Sequence, residues 1–123
     1  MNSASKAHIV VVDDDPLVRA SLCDCVESAG YSVEGFGSAE EFLASNSGIS
    51  AACLILDIQL SGETGLELQR RLRNVAGPPI VFVTANVTAA NRETAAKLGA
   101  KGFLSKPVRC QQLMNAVKAA IPS

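Results

Sequence analysis

Five short apolar segments, separated by stretches of helical periodicity, predict an α/β fold: a parallel sheet wrapped by helices. The segments are His8–Val12, Tyr31–Phe36, Ala51–Leu56, Pro79–Val83 and Lys101–Ser105. Three of them are aliphatic enough to be covered on both faces, the habit of parallel strands between helical layers. Right-handed crossovers leave few topologies, and for five βα units the doubly wound order 2-1-3-4-5 is expected.

The intervening stretches justify the helices in turn. Val18, Leu22, Cys25, Val26 and Ala29 make one helical face after the first segment. Asp15 can cap that helix with Pro16 in its first turn, where the missing N–H costs nothing, and Gly30 ends it. Ser38 followed by Glu41 reads as a capping box for the second helix. Leu68, Leu72 and Val75 make the face of the third, Gly99 closes the fourth, and Leu113, Val117 and Ile121 line the last, with Pro122 just beyond.

The chain has 123 residues, 48% of them hydrophobic, with 11 basic and 12 acidic side chains and a net charge of −1. This length predicts one domain over residues 1–123, with a core of about 6–121. The composition is too apolar for disorder. A near-neutral charge argues against direct nucleic-acid contact and against a polybasic membrane surface. The aliphatic run Ile9–Val12 falls far short of the roughly 20 residues that span a bilayer, and residues 1–7 lack a secretory hydrophobic stretch. A cytoplasmic location is therefore expected. The cysteines, Cys23, Cys25, Cys53 and Cys110, include no C-x-x-C pair, and His8 lies far from them in sequence, which argues against zinc. Cys25 falls on an apolar helical stripe and Cys53 opens an aliphatic run, so reduced structural thiols are expected.

In a doubly wound sheet the functional crevice lies outside the carboxyl ends of the strands. The residues there are Asp13-Asp14-Asp15, Asp57, Thr84-Ala85 and Lys106-Pro107. Clustered carboxylates repel unless positive charge joins them. Lys106 supplies one such charge and a hard divalent cation would supply the rest. Mg²⁺ suits the set, because it takes one or two carboxylates and keeps positions for water and phosphate oxygens. An aspartate beside Mg²⁺ and lysine can attack phosphorus and form an acyl phosphate. Such transfer needs mainly positioning and positive charge, with Thr84 as a further hydrogen-bond donor.

From Lys6 to Ile121 the sequence resembles the receiver domain of two-component response regulators. The matching motifs are Val11-Val-Asp-Asp-Asp15, Leu54-Ile-Leu-Asp57, Val83-Thr-Ala85 and Lys101-Gly-Phe-Leu-Ser-Lys-Pro107. The resemblance implies a flavodoxin-like fold and a phosphorylation-activated switch that is not an enzyme in the turnover sense. It further implies Asp57 as phosphoacceptor for a sensor histidine kinase. Mg²⁺ would be bound by Asp14 directly, Asp13 through water, Asp57, and the backbone carbonyl of Gln59. Thr84 and Lys106 would contact the phosphoryl group, the Lys106–Pro107 bond would be cis, and Phe103 would be the switch aromatic. The surface of the fourth helix, fifth strand and fifth helix would then favour a homodimer, an output domain or a downstream protein. The stretch Gly35–Leu43 resembles receivers that precede LuxR-type helix-turn-helix outputs, so transcription is the expected process.

The loop after Asp57 departs from the family, which commonly has Met-Pro and then a glycine. Here Leu60 and Ser61 replace the pair and Gly65 can serve as the glycine, so a φ restraint is lost near Gln59. Structural readings remain for other residues: Asp15 as a helix cap, His8 as a strand-start residue, and Arg70, Arg71 and Arg73 as a wet helix face. Two alternatives stand beside the switch. A haloacid-dehalogenase-type phosphohydrolase would use Asp13 and Asp15 as its Asp-x-Asp, but residues 107–123 lack the acidic pair it requires. A receiver-like binding module that carries no phosphate would usually lose an aspartate or the lysine, and none is lost here.

Overall fold

A computed structural model describes residues 7–45 and 51–121. Among the described residues five strands alternate with five helices: β1 (His8–Val12), α1 (Pro16–Ser28), β2 (Ser32–Phe36), α2 (Ala39–Ala44), β3 (Cys53–Leu56), α3 (Gly65–Arg73), β4 (Ile80–Thr84), α4 (Ala89–Lys97), β5 (Gly102–Ser105) and α5 (Cys110–Ala120). The strands form one parallel sheet in the predicted order β2-β1-β3-β4-β5. Among the described residues no helix is long and apolar enough to cross a membrane. Lys6 and Pro122, expected at the edges of the domain, lie outside the described residues.

Alternation along the central strands divides the core in two. Val10, Val12, Leu54, Leu56, Ile80 and Phe82 pack with Phe42, Leu68, Leu72 and Ala95 of α2, α3 and α4. The intervening residues Ile9, Val11, Cys53, Ile55, Val81 and Val83 pack with Leu22, Val26, Leu113 and Val117 of α1 and α5. Every residue of β3 and β4 is buried, as strands covered on both faces require.

Helix ends follow the sequence signals closely. The Asp15 carboxylate accepts from Leu17 N at 2.9 Å and Val18 N at 3.2 Å, which settles it as the cap of α1. Gly30 and Gly99 follow α1 and α4 with φ of 99° and 97°, the left-handed conformation that glycine adopts without a Cβ clash. Ser38 caps α2 through Glu41 N, while Glu41 answers to Gly37 N rather than to the cap residue itself. A complete capping box, absent from the sequence expectations, is formed by Thr64 and Glu67 at α3.

Two expectations are corrected. Val75 does not belong to the face of α3: the helix stops at Arg73, the chain turns through Ala76 at φ 54°, and Val75 is 55% exposed. Leu68 and Leu72 alone of that trio enter the core. Nor are all the thiols reduced. Cys25 of α1 and Cys110, the first residue of α5, form a disulfide with Cα atoms 5.6 Å apart across 85 residues of sequence. The packing of α1 beside α5 brings this pair within bridging range, which no sequence spacing reveals. Cys23 and Cys53 are free, and burial pushes the Cys53 thiol up to about 12. The remaining structural readings hold. His8 starts β1 with its ring on Ser32 and Glu34, and Arg70, Arg71 and Arg73 are exposed on the last turn of α3, with Arg71 paired to Glu63 at 2.8 Å.

Candidate functional site

Asp13 and Asp57 are the residues that follow β1 and β3. These strands are neighbours, and pairing of Val12 with Leu56 brings the next residue of each side by side. Asp57 N donates to the Val12 carbonyl at 3.2 Å, extending the ladder by one step. Both carboxylates are buried, Asp13 at 1% exposure and Asp57 at 5%.

Lys106 reaches them from beyond β5. Its Nζ lies 2.7 Å from Asp57 Oδ2 and 2.9 Å from Asp13 Oδ2. The Lys106–Pro107 peptide bond is cis, as expected, and Lys106 N donates to the Thr84 carbonyl at 2.9 Å. Thr84 ends β4, is fully buried, and its Oγ1 accepts from Asn86 N at 3.1 Å.

The charges do not balance. Two buried carboxylates share one ammonium, so the hollow stays net negative. Burial pushes the Asp13 carboxyl above its ordinary range even though Lys106 and the Asp15 N–H oppose the shift. Burial alone would lower Lys106, but hydrogen bonds to Asp57 and Asp13 outweigh it and raise the ammonium above its ordinary value.

The other predicted residues stand around this core. Asp57 Oδ1 accepts from Gln59 N at 3.1 Å, while the Gln59 residue itself is exposed. Asp14 is exposed at the rim, where Ser61 Oγ donates to its Oδ2 at 3.2 Å. The structure thus unites Asp13, Asp57 and Lys106 but leaves Asp14 apart; among the described residues no three acidic, histidine or cysteine side chains gather into a ready metal cluster. Asp15 is occupied in capping α1, so an Asp13–Asp15 hydrolase pair lacks its second carboxylate. Phe103 sits half-buried on β5, its ring 6.0 Å from that of Phe82 and tilted by 46°.

Three contributors escape a reading of the sequence. Arg19, on the second turn of α1, donates from Nη1 to the Asp13 carbonyl at 2.8 Å and fixes the backbone of the acidic loop. Arg92 of α4 places its Cζ 5.2 Å from the Phe103 ring centroid, a cation–π contact. Ser61, noticed only as a departure from the usual loop, supplies the hydrogen bond that orients Asp14. The first two act on a backbone carbonyl and an aromatic face, which leave no motif in the sequence. The third was legible as an unusual residue but not as a partner.

Both the sequence and the fold are similar to those of known proteins. A sequence model of the response regulator receiver domain matches residues 9–118. The chain is 41% identical over 119 residues to Nodulation protein W of Bradyrhizobium diazoefficiens, covering 96% of this chain and 52% of that protein. It is 36% identical to the transcriptional regulatory protein FixJ of the same organism, covering 95% of this chain and 58% of that protein. The chain therefore spans about half the length of the curated relatives it matches. Among solved structures, the response regulator StyR superposes with a TM-score of 0.81 at 38% identity, over 95% of this chain and 60% of that one. A CheY-like receiver domain protein from Methanospirillum hungatei JF-1 superposes with a TM-score of 0.86 at 29% identity, over 93% and 92% of the two chains. With its motifs, strand order and relatives in agreement, the chain belongs to the receiver-domain family of two-component response regulators.

Proposed function

We propose that Asp57 is the phosphoacceptor of a signalling switch, loaded by a sensor histidine kinase. One observation carries the reading: a half-buried lysine ammonium bonded to the buried carboxylates of Asp57 and Asp13 together at the carboxyl edge of the sheet. An Asp57 oxygen attacks the phosphorus of a phosphohistidine, the P–N bond breaks, and the imidazole leaves with the bonding electrons. Lys106 exchanges part of its bond to Asp57 for a phosphoryl oxygen, and the Thr84 hydroxyl donates to another. Backbone N–H of Gln59 holds the second carboxylate oxygen in place during the attack.

The uncompensated negative charge of the hollow fits a hard divalent cation, with Asp14, Asp57, the Gln59 carbonyl and, through water, Asp13 as its oxygen donors. Bound there, Mg²⁺ supplies the positive charge that the transferring phosphoryl oxygens need. Asp14 would be one of its ligands, and the Ser61 hydroxyl that donates to Asp14 Oδ2 at 3.2 Å would bear on how that carboxylate is presented.

Once Thr84 moves toward a phosphoryl oxygen, the space beside β4 opens to the Phe103 ring, and the α4–β5–α5 surface changes. That surface acts on an output domain, a downstream protein or a second copy of the chain. The names of the relatives support transcription as the process, and a cytoplasmic location follows from the kinase partnership. The domain itself makes no nucleic-acid or membrane contact in this reading, and its only chemistry is its own loading and unloading.

Incubation with a small acyl-phosphate donor and Mg²⁺, followed by intact mass, tests the reading. Wild type gains the mass of one phosphate and Asp57→Asn gains none. A folded wild type that gains nothing overturns it in favour of a binding module, and steady phosphate release that depends on Asp13 overturns it in favour of a hydrolase.

A further inference from the structure

The Cys25–Cys110 bridge lies outside the carboxylate site but ties together the two helices that leave it. α1 begins directly after Asp13–Asp15, and α5 begins just past the Lys106–Pro107 turn. The other four helices start on a capping side chain, from Asp15, Ser38, Thr64 and Thr88. The α5 N-cap residue, Arg109, makes no side-chain capping bond, and the sulfur bond ties the first residue of that helix to α1. Cys110 is exposed and Cys25 half-buried, so a small thiol can reach the bridge from the Cys110 side. Burial pushes both free thiols, Cys23 and Cys53, above their ordinary range, which makes them poor attackers in any reshuffling.

We propose that Cys25 and Cys110 form a reversible redox-modification site, closed by a low-molecular-weight disulfide and opened by a low-molecular-weight thiol, whose closure fixes the Lys106 loop against Asp57 and Asp13. Its functional half rests on the reading of Asp57 as phosphoacceptor. Closing proceeds by attack of one cysteine thiolate on the small disulfide. A mixed disulfide forms and one small thiolate leaves. The second cysteine thiolate then displaces the other, so two electrons pass from the protein pair to the small disulfide and the two cysteine protons go to solvent or to the leaving thiolates. Opening runs the same exchange backwards, with two small thiols as the reductant. Without the bridge the first turn of α5 frays, and the loop that carries Lys106 loses its downstream anchor.

The test equilibrates the whole chain in buffers of reduced and oxidised glutathione, alkylates free thiols and counts them by intact mass. Amide hydrogen exchange over residues 106–114 and phosphate uptake from acetyl phosphate with Mg²⁺ are then compared between the two forms. The expected result is paired loss of two alkylatable thiols, protection over 106–114 that drops several-fold on opening, and several-fold slower uptake in the open form. Cys110→Ser and Cys25→Ala each reproduce the open behaviour and ignore glutathione. Failure of the bridge to close at any glutathione ratio, or equal protection in the two forms, overturns the clamp. Equal uptake by two forms that both load overturns its coupling to the site. If the protection changes while neither form takes phosphate, the clamp stands and the phosphoacceptor reading falls.

Discussion

The α-carbon of Gly65 lies so close to the backbone of Asp57 that a Cβ built on it would meet the Asp57 carbonyl oxygen at 2.1 Å and the carbonyl carbon at 2.9 Å. Gly65 N also donates to the Ile58 carbonyl at 2.8 Å, so the start of α3 is pressed onto the strand end that presents the carboxylate. Gly65→Ala cannot be absorbed by a flexible side chain, because the obstacle is backbone. We expect it to lower stability by roughly 1–3 kcal/mol in denaturant titration and to slow phosphate uptake by displacing Asp57. An alanine variant with wild-type stability and uptake would show that the contact relaxes freely.

Removing Lys106 leaves two buried carboxylates without their counter-charge. Breaking a fully buried pair costs roughly 3–5 kcal/mol, but the Lys106 side chain is 19% exposed, so Lys106→Met should cost less, roughly 1–3 kcal/mol. Because the folded-state pKa of Lys106 is raised, its contribution is fully present below the ordinary value of 10.5 and is lost as pH rises through the folded value. Urea melts across the alkaline range should show a fall above that pH in wild type that Lys106→Met lacks.

Asp13 has the same direction of pH dependence for a different reason, because here the charged form is the one that burial disfavours. Its carboxyl is raised by burial, so ionising it disfavours the fold: stability falls as pH rises from the ordinary value of 3.8 through the folded value. Asp13→Asn should therefore melt higher than wild type at neutral pH. Added Mg²⁺ should raise the melting temperature of wild type and do so much less for the variant. A variant that melts lower than wild type would mean that the Lys106 pairing outweighs the burial cost.

The bridge across 85 residues also predicts a thermodynamic effect. Closing a loop of that size restricts the unfolded chain, so reduction with a phosphine should lower stability by roughly 2–4 kcal/mol. Cys25→Ala should melt like the reduced protein and be unaffected by reductant.

Much of this molecule could be read from its residues, for reasons that are local. Strands buried on both faces write themselves as aliphatic runs, Asp15-Pro16 and Gly30 punctuate α1, and the strand-end rule gathers Asp13, Asp57, Thr84 and Lys106 at one edge. Where the reading failed, the cause was distance or phase. Val75 has the right spacing for α3, but the helix ends two residues earlier, and periodicity carries no information about where the chain leaves it. Cys25 reads as an ordinary residue of an apolar helical stripe, and only the packing of α1 beside α5 pairs it with Cys110. Arg19 and Arg92 act through a backbone carbonyl and an aromatic face, partners that leave no pattern in sequence.

The groups of the site come from the residues that follow the first, third and fifth strands, with Asp57 and Lys106 separated by 49 positions. A nascent or truncated chain that stops before β5 carries its acidic residues but not the cation that organises them. Competence arrives only when the last crossover is complete. On the proposed reading of Asp57 as phosphoacceptor, phosphate uptake would therefore require a domain folded through β5.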